Sequence, residues 1–191
     1  MLDPDFNEKC FNDIANRNIE REGIENLLWF LKTSDFFTAP CSTKYHLSVP
    51  GGLCEHSLNV YHALNSIIRN YEFENKNRES IAIVSLFHDI CKVNTYKEYL
   101  ANRKNADGEW EQYTAYRFDE DYAFGHAEKS VYLISQFIHL TPVEAQAINA
   151  HMGFSDVRGA NLIGNIFKQN RLALLLHFAD MTATYCMEDE K

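Results

Sequence analysis

Residues 81–93 read IAIVSLFHDICKV, and how this stretch folds decides the rest of the chain. It is apolar around nearly its whole circumference and follows Ser80, which predicts a central, buried helix. His88, Asp89 and Lys92 interrupt that pattern. Burying an ionisable pair costs several kcal/mol (roughly) unless the pair is matched or bound to a metal. Neighbouring helical positions point about 100° apart, so one ion between them could take an imidazole nitrogen and a carboxylate oxygen together. Lys92 lies four residues after His88 and three after Asp89, on the same face. The dipeptide itself is weak: 8 His among 191 residues make about half a His-Asp pair expected from composition. A solvent-facing His-Asp-Lys cluster is the competing reading.

Outward from this stretch, helical spacing dominates. Residues 6–15 and 19–31 form two packing helices, with Ile24, Leu27, Leu28 and Leu31 on one face of the second. The segment 38–52 contains clustered small polar residues and ends in Pro50, Gly51 and Gly52, which predicts an ordered connection that turns tightly into the next helix, 53–71. Between Asn94 and Asp121 the period changes. Tyr96, Tyr99, Trp110, Tyr113, Tyr116 and Phe118 flank the turn signal Asp107-Gly108, so a β-hairpin at about residues 95–119 interrupts a helical protein. Its aromatics read as packing residues rather than a base-stacking platform. Helix resumes over 125–139. Thr141, Pro142 and Glu144 then make a capping box with proline at the first helical position, opening a helix to about 152. A loop, GFSDVRGANL, a short apolar segment and a last helix over 171–185 complete the chain. No internal repeat or low-complexity segment is visible. The expected architecture is one all-α domain over residues 1–191 with an inserted hairpin, residues 1–40 forming a helical extension packed on it.

Composition bounds the function. The chain has 18 Lys and Arg against 27 Asp and Glu, a formal net charge of -9, which lacks the basic footprint needed to hold duplex nucleic acid. Five cysteines form no CxxC pair and are odd in number, reading as reduced thiols. The start, MLDPDFNEKCF, carries no apolar signal-peptide core, and no apolar run reaches the roughly 18 residues that span a bilayer. A cytoplasmic protein without membrane partners is expected.

Four further residues fall out of pattern on apolar helices: His56 in GGLCEHSLNV, His126 in GHAEKS, His151 in AHMG and Asp180 in FADMTA. Each alone has an ordinary structural reading, His151 for instance as a helix C-terminal dipole partner. With His88 and Asp89 they supply four imidazoles and two carboxylates, a set suited to a pair of first-row transition ions. His139 fits a helix end, and His62 lies off the face of His56. His177 reads equally as a core histidine or as support for Asp180.

The ordered phrases GGLCEHSLNV, LFHDICK, GHAEKS, AHMG and FADMTA resemble the HD-domain metal-dependent phosphohydrolase superfamily, in its dinuclear form with two additional histidines. The likeness runs from about His46 to Tyr185. It implies that His56, His88, Asp89 and Asp180 bind one divalent metal, and that Asp89 bridges to a second held by His126 and His151. Mn, Fe, Ni, Co, Zn and Mg all suit such ligands. Asp89 and Lys92 are then the catalytic residues, with Lys92 neutralising charge on a phosphoryl oxygen. His46, Lys44, Lys129, Arg158 and Arg171 join Lys92 as candidates to bind substrate, and Glu55 and Glu128 to orient a histidine. Where the superfamily often has HDxGK, this chain has Cys91, a thiol close to the site and an expected point of oxidation. The implied reaction is hydrolysis of a phosphomonoester or phosphodiester in a nucleotide or other small phosphorylated metabolite. The alternatives are a catalytically silent nucleotide-binding module and a nuclease acting on single-stranded nucleic acid, which would need a basic, aromatic-lined groove.

Overall fold

The computed structural model describes residues 3–71, 77–120, 124–155 and 159–188. Among them the fold is all-α with one antiparallel hairpin: α1 (Pro4–Asn18), α2 (Ile24–Thr33), α3 (Gly52–Asn70), α4 (Arg78–Phe87), β1 (Tyr96–Lys104), β2 (Trp110–Phe118), α5 (His126–Ser135), α6 (Pro142–Asn149), α7 (Ala160–Gln169) and α8 (Arg171–Thr182). No described helix is long and apolar enough to cross a membrane.

Helix α3 is the axis. It packs on α8, α4 and α1, while α6 closes the bundle against α8 and α5. The core of α4 is fully buried at Ala82, Ile83, Val84, Leu86 and Phe87. Phe11 of α1 meets Phe36, Phe37 and Phe87 edge-on, with ring centroids 5.0, 5.6 and 5.9 Å away. Such contacts favour the quadrupoles of all four rings and fasten α1 to the bundle. Arg21 adds a polar clamp: it donates to both carboxylate oxygens of Glu144 (2.6 and 3.1 Å), to Glu79 (2.8 Å) and to the carbonyl of His139 (2.9 Å).

The capping box forms as the sequence predicts, with the Thr141 hydroxyl accepting from the Glu144 amide and the Glu144 carboxylate accepting from the Thr141 amide. Gly51 starts α3 in the left-handed region, φ 80°. At Gly52 a Cβ would sit 2.2 Å from the Leu47 carbonyl oxygen, so only glycine lets the 38–52 connection fold back this closely. That connection is ordered: the Cys41 amide donates to Leu47 (3.0 Å) and the Gly51 amide to Thr38 (3.0 Å).

Several boundaries differ from the sequence expectation, among them the start of α2 at Ile24 rather than at residue 19, and two others shape the site. The helix expected through residue 93 ends at Phe87; His88 is its cap and Ile90–Lys92 is a 3-10 turn. The helix expected to 152 ends at Asn149, because the chain turns through Ala150 and His151 into Gly153, at φ 59°. Helix α5 stops at Ser135, and α8 passes at Thr182 into a π turn, Ala183–Met187. The hairpin pairs Tyr96 with Phe118 through Lys104 with Trp110. Its aromatics are largely not packing residues. Tyr116 is buried, but Trp110 is 71% exposed, Phe118 60% and Tyr99 46%. A two-stranded ribbon has one face too many to bury against a small bundle.

Candidate metal centre

The ends of α4 and α6 present their histidines in the same way. His88 Nδ1 donates to the Ser85 carbonyl at 2.9 Å, and His151 Nδ1 to the Ile148 carbonyl at 2.6 Å. Both acceptors are three residues upstream, among the carbonyls that a helix end leaves free. His56, on α3, donates Nδ1 to the carboxylate of Glu188 at 3.0 Å. In the neutral form of each ring these partners keep the proton on Nδ1, which leaves Nε2 facing inward as the atom a cation would take.

The inward atoms surround Asp89. On one side His56 Nε2 lies 3.2 Å from His88 Nε2, 3.2 Å from Asp180 Oδ1 and 3.6 Å from Asp89 Oδ2; His88 Nε2 is also 3.6 Å from Asp89 Oδ2. On the other, Asp89 Oδ1 is 2.8 Å from His126 Nε2 and 3.4 Å from His151 Nε2. Two donors about 2.1 Å from a common ion, at tetrahedral to octahedral angles, stand about 3.0–3.5 Å apart. The spacing fits a divalent cation among His56, His88 and Asp180, and Asp89 Oδ1 stands at similar distances from His126 and His151 on its other side. All six residues except His126 and Asp180 are buried.

The electrostatics show the same demand for positive charge. Burial works against a proton on His56, but Cys41, Asp180 and Glu188 outweigh it and hold its pKa well above the ordinary value. Burial pushes His88 down to about 4. For Asp89, burial favours the neutral acid, yet Lys92, His88 and His126 override it and keep the carboxyl ionised. The Lys92 ammonium lies 2.6 Å from Asp89 Oδ2 and 3.4 Å from Cys41 Sγ.

Of the residues singled out in sequence, His46 lies at the cluster, its Nε2 3.3 Å from Cys41 Sγ, and lines the cavity of about 430 Å3 that opens over Asp89. Lys44 is exposed and lines a neighbouring cavity. Lys129 is not brought in: it pairs with Glu120 at 2.5 Å and lies outside the cavity wall. Arg171 lines a separate cavity with Asn170 and Thr141. Arg158 lies outside the described residues. Glu55 accepts from Asn7 at 2.6 Å rather than orienting a histidine. Cys91 corrects another expectation. Its Sγ lies 3.3 Å from His126 Nδ1, as a partner for that ring, and burial pushes the thiol pKa up to about 12, a protonated and unreactive sulfur.

Sequence reading missed Glu188 and underrated His177. Glu188 lies in a short acidic tail with nothing to distinguish it from a solvated charge. His177 donates Nδ1 to the His151 carbonyl at 2.7 Å and stacks on Phe167 with centroids 5.5 Å apart, holding the His151 turn in place.

A family model described as "HD domain" matches residues 53–183, which contain all six clustered residues. No curated protein and no solved structure gives a significant match. With that match covering more than half of its length and the cluster in its interior, the chain belongs to the HD-domain family.

Proposed function

We propose that the protein is a metal-dependent phosphohydrolase that uses two divalent cations to cleave a phosphate ester of a nucleotide or similarly small metabolite. The observation that carries this is the convergence of His56, His88 and Asp180, with His56 Nε2 3.2 Å from both His88 Nε2 and Asp180 Oδ1, in a chain of the HD-domain family. Three donors at that spacing are those a divalent cation takes in place of a proton.

In this reading His56, His88, Asp180 and Asp89 would hold one ion, and Asp89, His126 and His151 the other. The bound pair would supply Lewis acidity that polarises a phosphoryl oxygen and makes an attacking water more acidic. The chain's own residues do the rest. Asp89 sets the separation of the two donor groups through its two oxygens. Lys92 holds that carboxylate from one side and offers its remaining ammonium protons to a phosphoryl oxygen in the same cavity. Cys41, Met152 and Met181 line the wall, limiting water beside the reacting phosphate. Net acidity favours a small substrate over a polymer, because the bound cations would place positive charge in the cavity while the surface repels a long anion.

Purified without chelator, the protein is expected to carry close to two transition ions per chain and to hydrolyse p-nitrophenyl phosphate with added Mn2+. Asp89→Ala should abolish that activity. Retained activity in the variant would place the chemistry elsewhere. Full metal content with no turnover of any aryl ester or nucleotide would identify a silent binding module instead.

A further inference from the structure

The cavity over Asp89 does not close on itself. Thr43, Tyr45, His46, Thr184 and Tyr185 line it and also line a second cavity of about 830 Å3, so these five residues form a threshold between two chambers. The inner chamber, at about 430 Å3, is near the lower end of ligand pockets, which run roughly 300–1,000 Å3. A phosphate ester whose remainder is small fits within it and leaves the outer chamber without a role.

The outer chamber has its own chemistry. The hairpin contributes Arg103 and Tyr113, the 38–52 connection contributes Lys44, and the π turn after α8 contributes Tyr185. Tyr45 is 81% exposed and Tyr185 65% exposed, so both threshold rings are uncommitted to the core. The Arg103 guanidinium lies 4.9 Å above the Tyr113 ring, a cationic plane and an aromatic plane stacked together. Its ion pair with Glu111 is 2.6 Å long but lies in solvent, where such pairs are weak and readily exchanged for a phosphate. The carboxylate that faces this chamber, Glu188, is 1% exposed and committed to His56 and Asn59. What enters therefore meets exposed aromatic faces and two cations.

We infer that the outer chamber seats a second nucleotide, and that the substrate is a phosphodiester joining two nucleosides. Exposed tyrosines accept a base by stacking regardless of its identity, and Lys44 with Arg103 meets the phosphate that follows it. The scissile phosphate then lies at Asp89 and Lys92. Water forms the new P–O bond, the P–O bond to one nucleoside breaks, and that oxygen takes up a proton, giving a nucleotide and a nucleoside hydroxyl. This rests on the phosphohydrolase reading above and adds the substrate class. The bulk charge of -9 limits such a substrate to short single strands.

The test compares kcat/KM, with Mn2+ present, on a dithymidine dinucleotide carrying a terminal phosphate and on bis(p-nitrophenyl) phosphate, an activated diester with neither a base nor a second phosphate. Tyr45→Ala and Arg103→Ala should each lower the ratio of the dinucleotide value to the aryl-ester value, relative to wild type, by on the order of tenfold. Tyr45→Phe, which keeps the stacking face, should restore the ratio. Hydrolysis of the aryl ester with no turnover of the dinucleotide, or a ratio unmoved in both alanine variants, overturns the second-nucleotide subsite and leaves the hydrolase reading standing. Failure of the metal-loaded wild type to hydrolyse either compound overturns both.

Discussion

The carboxylate of Glu188 accepts a hydrogen bond from Nδ1 of His56 at 3.0 Å, joining the end of the π turn to the N-terminal part of α3. Asn59, one turn along α3, donates to the same carboxylate oxygen at 3.0 Å. A buried carboxylate behind a metal-binding imidazole fixes its tautomer and raises its basicity. Replacing Glu188 with Gln removes the charge while keeping the shape. The affinity for Mn2+ measured by titration calorimetry should fall about 10- to 100-fold, with the helical circular dichroism unchanged. Unaltered affinity would show that His56 needs no such partner.

Asp89 offers one oxygen to each group of histidines, so Asp89→Asn should empty both groups. Elemental analysis of the purified variant is expected to find well under one ion per chain, against close to two in the wild type. Two retained ions would show that the carboxylate charge is dispensable.

Because the donors come from α3, the end of α4, α5, the end of α6 and α8, a bound cation links elements that the unfolded chain separates. Adding Mn2+ at 100 times its Kd should raise the unfolding free energy by about 2.7 kcal/mol per independent site, and chelation should reverse it. A Tm insensitive to both would count against a site of this kind.

Glu144 gives a pH dependence of stability. Burial favours its neutral acid, but hydrogen bonds from Arg21, Ser80 and Thr141 outweigh this and lower its pKa. A carboxylate whose folded pKa is lowered contributes stability in full above its unfolded value, about 4.3, and loses it as pH falls through the folded value. Glu144→Gln should therefore destabilise by about 3 kcal/mol at pH 7 in urea unfolding, since it leaves Arg21 partly buried with a weaker partner. The gap between variant and wild type should narrow as pH drops below about 4.3. A gap independent of pH would contradict this assignment.

Gly52→Ala tests the connection that carries Cys41 and His46 to the site. The added methyl would meet the Leu47 carbonyl oxygen at 2.2 Å, so the loop must move away. Destabilisation of about 1–3 kcal/mol is expected, together with weaker substrate binding. A Tm equal to the wild type would show that the turn relaxes freely.

The sequence carried the elements and the six clustered residues better than it carried their surroundings. His88 and Asp89 stand out because an apolar helix should not contain them, and Asp180 for the same reason. His88 and Asp89 do not flank an ion as two adjacent helical positions would, since α4 ends before them. Periodicity runs on through IAIVSLFHDICKV, so nothing in the hydrophobic pattern marks that end; the break is set by the His88 ring bonding back to Ser85. Glu188 was illegible because a glutamate in an acidic tail looks solvated until the π turn brings it under α3. Lys129 misled for the opposite reason, being close in sequence to His126 but committed to Glu120. The hairpin was legible as a hairpin, while the exposure of its rings depends on which face the bundle covers, a matter of tertiary packing alone.

Asp89 is a single rigid carboxylate whose two oxygens answer to different partners, His56 and His88 on one side, His126 and His151 on the other. Any turn of the group that improves one set of distances worsens the other. With a cation on each side, as proposed, occupancy of one would reorient the carboxylate that the other meets and withdraw charge from it. The two affinities would then be linked by one coupling free energy, equal in both directions, whatever the order in which cations enter.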